Sequence, residues 1–190
     1  MATIYANSTD GYIRNFVLGG TWSAVRDATS ASKNDTATRW ASSVYSGSVA
    51  FFGTTINNVT RAFFAFDTSG ISSAPSAATL KLYGYGTFGT RADVWALKSD
   101  AFTDSGSLHN DDFNNITGWS TGSSDGSGAG DNESNVTKYS AMYDVSADGW
   151  SASGYNDISL NATALSDMAS LDTLLAVSYT HLTLPTNREV

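Results

Sequence analysis

The chain has 190 residues, the length of one ordinary domain, and a net charge of −8, which disfavours nucleic acid and anionic lipid as partners because both are negatively charged. The sequence has no cysteine, which excludes disulfides, cysteine–zinc sites and thiol catalysis. No segment approaches the ~20 apolar residues of a membrane span, and the first residues show no secretion signal.

Short alternating runs of apolar and polar residues, separated by Gly, Ser, Asn and Asp, predict many short strands and little helix. In chain order, the predicted strands are residues 1–5, 11–16, 39–45, 48–52, 59–67, 78–85, 91–97, 140–145, 157–160 and 171–177. Residues 21–33 are interpreted as a loop rather than a short helix. A helix is predicted over residues 162–168, where Asn161 can cap the first turn.

The two clearest strands indicate which side chains face the core. Period-two alternation in residues 59–67 places three apolar side chains on one face: Ala62, Phe64 and Phe66. In the next strand the inward side chains are Ala78, Leu80 and Leu82. The outward side chains of that strand are Thr79, Lys81 and Tyr83.

Residues 98–138 are polar and contain scattered apolar anchors, namely Phe102, Leu108, Phe113, Ile116 and Trp119. Within this stretch, residues 121–134 are predicted to form an exposed, mobile loop. Short strands at near-regular spacing are typical of an all-β, antiparallel β-sandwich of the jelly-roll type, here with long polar loops. We expect one sandwich domain over residues 1–176.

The end of the chain has an unusual sequence. Residues 177–186, Val-Ser-Tyr-Thr-His-Leu-Thr-Leu-Pro-Thr, resemble the translation of a transposon-based sequencing adapter. The alternative is a genuine terminal strand, because the same residues alternate well enough to pair. We interpret residues 177–190 as a non-native tail of a metagenomic gene and expect the native carboxyl terminus to be missing.

Three groups of residues resemble one family. Residues 61–71, Arg-Ala-Phe-Phe-Ala-Phe-Asp-Thr-Ser-Gly-Ile, and residues 78–83, Ala-Thr-Leu-Lys-Leu-Tyr, are similar to the strand–turn–strand signature of DNRLRE-type jelly-roll domains. Residues 10–14 and 150–160 resemble the opening strand and a late strand of that family. The resemblance implies a jelly-roll sandwich that acts as a non-catalytic module. Such domains occur on secreted, wall-bound or glycan-degrading proteins, and similar stand-alone proteins occur in phages.

Residue types that hydrolytic catalysis needs are scarce. Glycoside hydrolysis commonly uses two carboxylates at a fixed separation. Glu133 is the only glutamate before the suspected tail, and most of the 16 aspartates fall in turns, where they cap backbone groups. A Ser-His-Asp triad would depend on His109, the only histidine before residue 177. We therefore expect no enzyme activity.

Calcium is the metal that these loops would suit, because it takes about six to eight hard oxygen ligands. One candidate ligand set is Asp104, Asp111 and Asp112. A second is Asp125, Asp131 and Glu133. The alternative is that these carboxylates belong to plain solvated loops.

Exposed aromatic rings predict glycan binding, because their apolar faces stack on sugar C–H groups. The candidate residues are Tyr83, Tyr85, Trp95, Trp119 and Tyr155, each of which could instead pack as ordinary core or sheet surface. The first functional hypothesis is a non-catalytic structural or decoration protein of a phage virion, located on the virion or another extracellular surface. Its partners would be glycans, other virion proteins or further copies of itself. The alternative is a carbohydrate-binding module of an environmental bacterium.

Overall fold

The computed structural model describes residues 2–35, 45–51, 53–84, 93–102, 106–119, 135–145 and 147–181. The helices are α1 (Trp22–Arg26), α2 (Ala162–Ser170) and a short 3₁₀ helix (Asn110–Asn114). The strands are β1 (Gly11–Leu18), β2 (Lys33–Asp35), β3 (Tyr45–Phe51), β4 (Thr54–Asp67), β5 (Thr79–Tyr83), β6 (Asp93–Lys98), β7 (Tyr143–Asp144), β8 (Tyr155–Ser159) and β9 (Thr173–His181).

The strands form two antiparallel sheets. In the large sheet the order is β2-β1-β4-β9-β6-β7, and β3 pairs with the first half of β4. The small sheet contains β5 and β8. With 14 residues, β4 is long enough to pair with β1 along one edge and with β3 and then β9 along the other. This arrangement confirms the predicted all-β, antiparallel sandwich.

One face of β4 packs against the small sheet. Ala62 and Phe64 share a buried cluster with Leu80 and Leu82 of β5 and Ile158 of β8. The burial of β5 alternates strictly, with Leu80 and Leu82 inward. The alternation predicted for both strands is therefore confirmed, and it turns the other side of β5 towards solvent.

The opposite face of the large sheet is covered by the polar segment that follows β6. The five predicted anchors all belong to this second cluster or pack against it: Phe102, Leu108, Phe113, Ile116 and Trp119. They lie over Phe63 of β4 and Val177 of β9. The predicted mobile loop, residues 121–134, lies outside the described residues.

Both α-helices begin at a side chain that accepts a hydrogen bond from the first turn. Asn161 accepts from the backbone N–H of Ala164 at 3.1 Å, which confirms the predicted cap of α2. Thr21 Oγ1 accepts from the backbone N–H of Ala24 at 3.2 Å at the start of α1. The interpretation of residues 21–33 as a loop is therefore wrong at α1, where burial of Val25 in the second cluster supports a helical turn.

The strand predicted at residues 1–5 is also wrong. Among the described residues of this segment, none lies in a strand, and only Ala6 forms an isolated bridge, to Phe66. Tyr5 is 81% exposed, so the alternating pattern here has no core to face. The strand predicted at residues 39–45 lies outside the described residues except for Tyr45, where β3 begins.

The strand β9 runs across the predicted domain boundary at residue 176. This strand continues to His181 and lies between β4 and β6, so it is paired on both edges. Val177, Ser178 and Tyr179 are all buried. The alternating sequence that suggested a terminal strand does form one, and the folded sheet extends at least to His181. The adapter resemblance of residues 177–186 stays a prediction about their origin.

Asp10 makes the stability of the fold depend on pH. Its Oδ1 accepts a hydrogen bond from the backbone N–H of Ala65 at 2.8 Å, and burial raises its pKa from 3.8 to about 6. The folded protein therefore holds a proton that the unfolded chain releases, so the contribution of this carboxyl to stability falls as the pH rises from 3.8 to about 6.

We expect Asp10→Asn, which stays neutral and keeps an acceptor oxygen, to gain stability relative to the wild type across that pH window. Urea unfolding of both proteins at pH values between about 4 and about 7.5 measures the difference. A difference in unfolding free energy that does not change with pH would contradict this assignment.

Candidate functional site

The outer face of the small sheet presents two tyrosines side by side. Tyr83 of β5 and Tyr155 of β8 are directly paired across the strands. Their side chains are 59% and 64% exposed, and their ring centres are 5.2 Å apart with an angle of 85° between the ring planes. An edge-to-face pair of this kind is favourable for aromatic rings and leaves much of both rings open to solvent.

A cross-strand ion pair lies next to the two tyrosines. Lys81 Nζ contacts both carboxylate oxygens of Asp157, at 2.9 and 3.0 Å, and lies 5.9 Å from the centre of the Tyr155 ring. Both side chains are more than half exposed, so the pair contributes little to stability. It does fix two charged groups beside the tyrosines, and charged groups of this kind can hydrogen-bond a polar ligand.

The buried side chain of Asn156 holds the turn next to this face. Its Oδ1 accepts from the backbone N–H of Ser151 at 2.7 Å, and its Nδ2 donates to the carbonyls of Ser151 and Leu82 at 3.1 and 3.2 Å. The same turn provides the carbonyl of Ser153, which accepts from the Tyr83 hydroxyl at 3.0 Å. Tyr83 is therefore held at both ends, by its strand and by the turn.

A groove of about 520 Å³ is lined by all five residues of β8, Tyr155 among them. Its polar and apolar walls include Met142, Tyr143, Asp148, Ser151 and Asp157. Asp148 Oδ2 accepts from the backbone N–H of Asp144 at 2.8 Å. Burial, together with the negative charges of Asp148 and Asp157, raises the pKa of Tyr143, so its hydroxyl keeps its proton and can donate a hydrogen bond.

Of the four predicted aromatic residues that the structure describes, it brings two together, Tyr83 and Tyr155. Trp95 is 8% exposed and packs in the core beside Tyr179, so its faces are taken up by the protein. Trp119 is half-buried on the far side of the large sheet, where its ring lies 4.7 Å from the guanidinium carbon of Arg61. Tyr85 lies outside the described residues.

Of the predicted calcium ligands, the structure describes Asp111 and Asp112. Asp104 and the second set, residues 125, 131 and 133, lie outside the described residues. Asp112 is buried and its oxygens accept from the backbone N–H of His109 and the side chain of Asn115, at 2.8 and 2.7 Å. Asp111 is exposed on the 3₁₀ helix. Within the described ranges, no three His, Cys, Asp or Glu side chains form a group that could hold a metal ion. Calcium therefore stays a prediction.

Sequence reasoning missed the acidic members of the site. Asp157 follows Tyr155 at a spacing of two in the same strand, so its outward direction was readable from alternation. Its contact with Lys81 was not, because the two residues are 76 positions apart. Asp148 and Met142 come from connections around β7, where no periodic pattern indicates direction.

No family model, curated protein or solved structure matches the chain. The similarity to DNRLRE-type domains therefore stays a prediction, and function has to be inferred from the site. In the part of the chain that the structure describes, no helix has the length and apolar character needed to cross a lipid bilayer.

Proposed function

We propose that the chain is a non-catalytic glycan-binding domain, and that the outer face of the small sheet with the adjacent groove is its binding site. The observation that carries the proposal is the exposed pair of Tyr83 and Tyr155, of which Tyr155 also lines the groove. Sugars have apolar C–H faces that stack on aromatic rings, and their hydroxyls bond to nearby charged and polar groups. Lys81, Asp148 and Asp157 supply such groups.

The rigidity of the two tyrosines also supports binding. Tyr83 is fixed by its strand and by its hydrogen bond to Ser153, and each ring braces the other. A side chain that is already held in place loses little conformational entropy when a ligand stacks on it. Two ordered rings on a sheet are a better binding surface than the same rings on a loop.

The two groove carboxylates favour binding over hydrolysis. A glycosidase needs one carboxyl that carries a proton to give to the leaving group. Both oxygens of Asp157 contact the Lys81 ammonium, so this side chain is held in an ion pair. Asp148 is held by the hydrogen bond that it accepts from the backbone N–H of Asp144. Both predicted settings, the phage virion and the bacterial module, are compatible with such a face.

The test is binding of the wild-type protein to a glycan array, followed by titration calorimetry with the strongest ligand. We expect Tyr83→Ala and Tyr155→Ala each to weaken binding by about tenfold or more, because an aromatic contact at the centre of a site contributes more than the average contact. Their melting temperatures should stay close to that of the wild type, because both side chains are exposed.

Tyr5→Ala is the matched control, because Tyr5 is exposed and does not line the groove. It should bind as the wild type does. Absence of any array signal for the wild type would contradict the proposal, and so would equal affinity of the three alanine variants. In that case the structural role in a virion would be the better hypothesis.

A further inference from the structure

The angle between the two tyrosine rings limits the shape of the ligand. Proteins that bind the flat surface of a crystalline polysaccharide need aromatic rings that lie in one plane, so that several faces touch the surface together. The ring planes of Tyr83 and Tyr155 are 85° apart, so the two rings cannot both lie flat on one surface. Tyr155 also lines the groove of about 520 Å³, which suits a single chain that follows the groove past this ring.

The charge of the groove limits the chemistry of the ligand. Its charged lining residues are Asp148 and Asp157, and no lysine or arginine is among the described residues that line it. Lys81 does not line the groove, and its ammonium is paired with both oxygens of Asp157. Both carboxylates also act on the neighbouring Tyr143, whose pKa is raised first by burial and then by the negative charges of Asp148 and Asp157. The net charge of −8 also repels a polyanion as it approaches the protein from a distance.

The carboxylates of the groove suit a ligand that is rich in hydroxyl donors. A carboxylate accepts hydrogen bonds only, and its bonds to O–H groups are short and strong. A neutral sugar offers such donors without bringing negative charge. Uronate and sulfate groups would place like charges against Asp148 and Asp157.

We infer that this face takes a single, soluble chain of neutral sugars and excludes acidic polymers and crystalline surfaces, an inference that rests on the proposed function. Affinity electrophoresis tests the first part with soluble β-glucan, galactomannan and xylan as neutral polymers and polygalacturonate and alginate as acidic ones. We expect retardation by at least one neutral polymer and none by the acidic polymers, at a low ionic strength of about 20 mM, where charge repulsion is strongest. Microcrystalline cellulose and chitin should not sediment the protein.

The double variant Asp148→Asn/Asp157→Asn removes the two charges and keeps an acceptor oxygen at each position. It also releases Lys81. We expect this variant to gain retardation by polygalacturonate, by about tenfold in affinity over the wild type, and to lose that gain at an ionic strength of about 0.5 M. Retardation by the neutral polymer should persist in the variant.

The outcomes separate the inference from the proposed function. Tight binding of polygalacturonate or alginate by the wild type would overturn the inference and leave glycan binding in place. Sedimentation with a crystalline polysaccharide would do the same, and so would a double variant that still ignores polygalacturonate at low salt. Failure to bind any polymer or array glycan would overturn the proposed function, and the inference with it.

Discussion

Replacing Arg61 with alanine is expected to lower the free energy of unfolding by about 3–5 kcal/mol, a large part of the total of about 5–15 kcal/mol for an ordinary domain. The side chain is 0% exposed. Its Nη1 donates to the Phe113 carbonyl and to Asn114 Oδ1, and its Nη2 donates to the Arg26 carbonyl at 3.0 Å. The variant would leave these buried acceptors without a donor and a cavity beside the Phe113 ring, which lies 4.0 Å from the guanidinium carbon.

Arg14→Ala is the control, because Arg14 lies in the neighbouring strand and its side chain is exposed. It makes one hydrogen bond of 3.2 Å to Asn58 and lies over the Phe16 ring, so its loss should cost about 1 kcal/mol or less. Arg61→Lys tests the geometry, since an ammonium cannot reach three acceptors in the plane of a guanidinium. Chemical denaturation measures all three variants. Equal stability of Arg61→Ala and Arg14→Ala would contradict a structural role for the buried arginine.

The parts of the fold that the sequence predicted well are those with local periodicity. The alternation of Ala62 and Phe64 in β4, and of Leu80 and Leu82 in β5, was readable because the side-chain period of a strand is two. The same period indicated that Tyr83 points outwards. The cap of α2 was readable for a similar reason, because Asn161 lies next to the turn that it caps.

The partners across the strands could not be read in this way. The site depends on Tyr83 lying opposite Tyr155 and on Lys81 lying opposite Asp157, and these pairings join segments more than 70 residues apart. Aromatic composition alone could not separate Tyr155, which is exposed, from Trp95, which is buried. Only the packing of the two sheets decides which rings a ligand can reach.

Arg61 illustrates the same difficulty for a charged residue. Alternation places it on the face opposite to Ala62 and Phe64, which in a two-layer sandwich would be the solvent side. The segment after β6 covers that face and provides Phe113, and β9 provides Tyr179. The covering segment is polar, so its sequence indicated a solvent-exposed loop. It did not indicate that this segment packs on the sheet and buries Arg61.

Ending the chain after residue 176 is expected to prevent folding, even though the sequence of residues 177–186 resembles an adapter. Val177 pairs with Phe63 on one side and Leu97 on the other, and Tyr179 pairs with Trp95. These contacts come from the middle of the large sheet. The shortened chain would lose five of the six residue pairs between β6 and β9 and one of the five between β4 and β9, and it would leave apolar surface uncovered. Loss of a single buried aromatic side chain costs about 3–5 kcal/mol, so the combined loss approaches the whole stability of a domain.

A chain that ends at His181 keeps all of β9 and is the matched control. Circular dichroism and thermal unfolding should show a folded, cooperative protein for this control and an unfolded chain for the one ending at residue 176. Tyr179→Ala in the full chain is a milder test of the same strand, and we expect it to lower the free energy of unfolding by about 3–5 kcal/mol. If the chain ending at residue 176 melted like the full chain, β9 beyond Ala176 would be dispensable. If the chain ending at residue 176 does not fold, the residues that resemble an adapter complete the core, whatever their origin. A central strand requires side chains that alternate correctly between the two faces of the sheet, and Val177, Ser178 and Tyr179 meet that requirement.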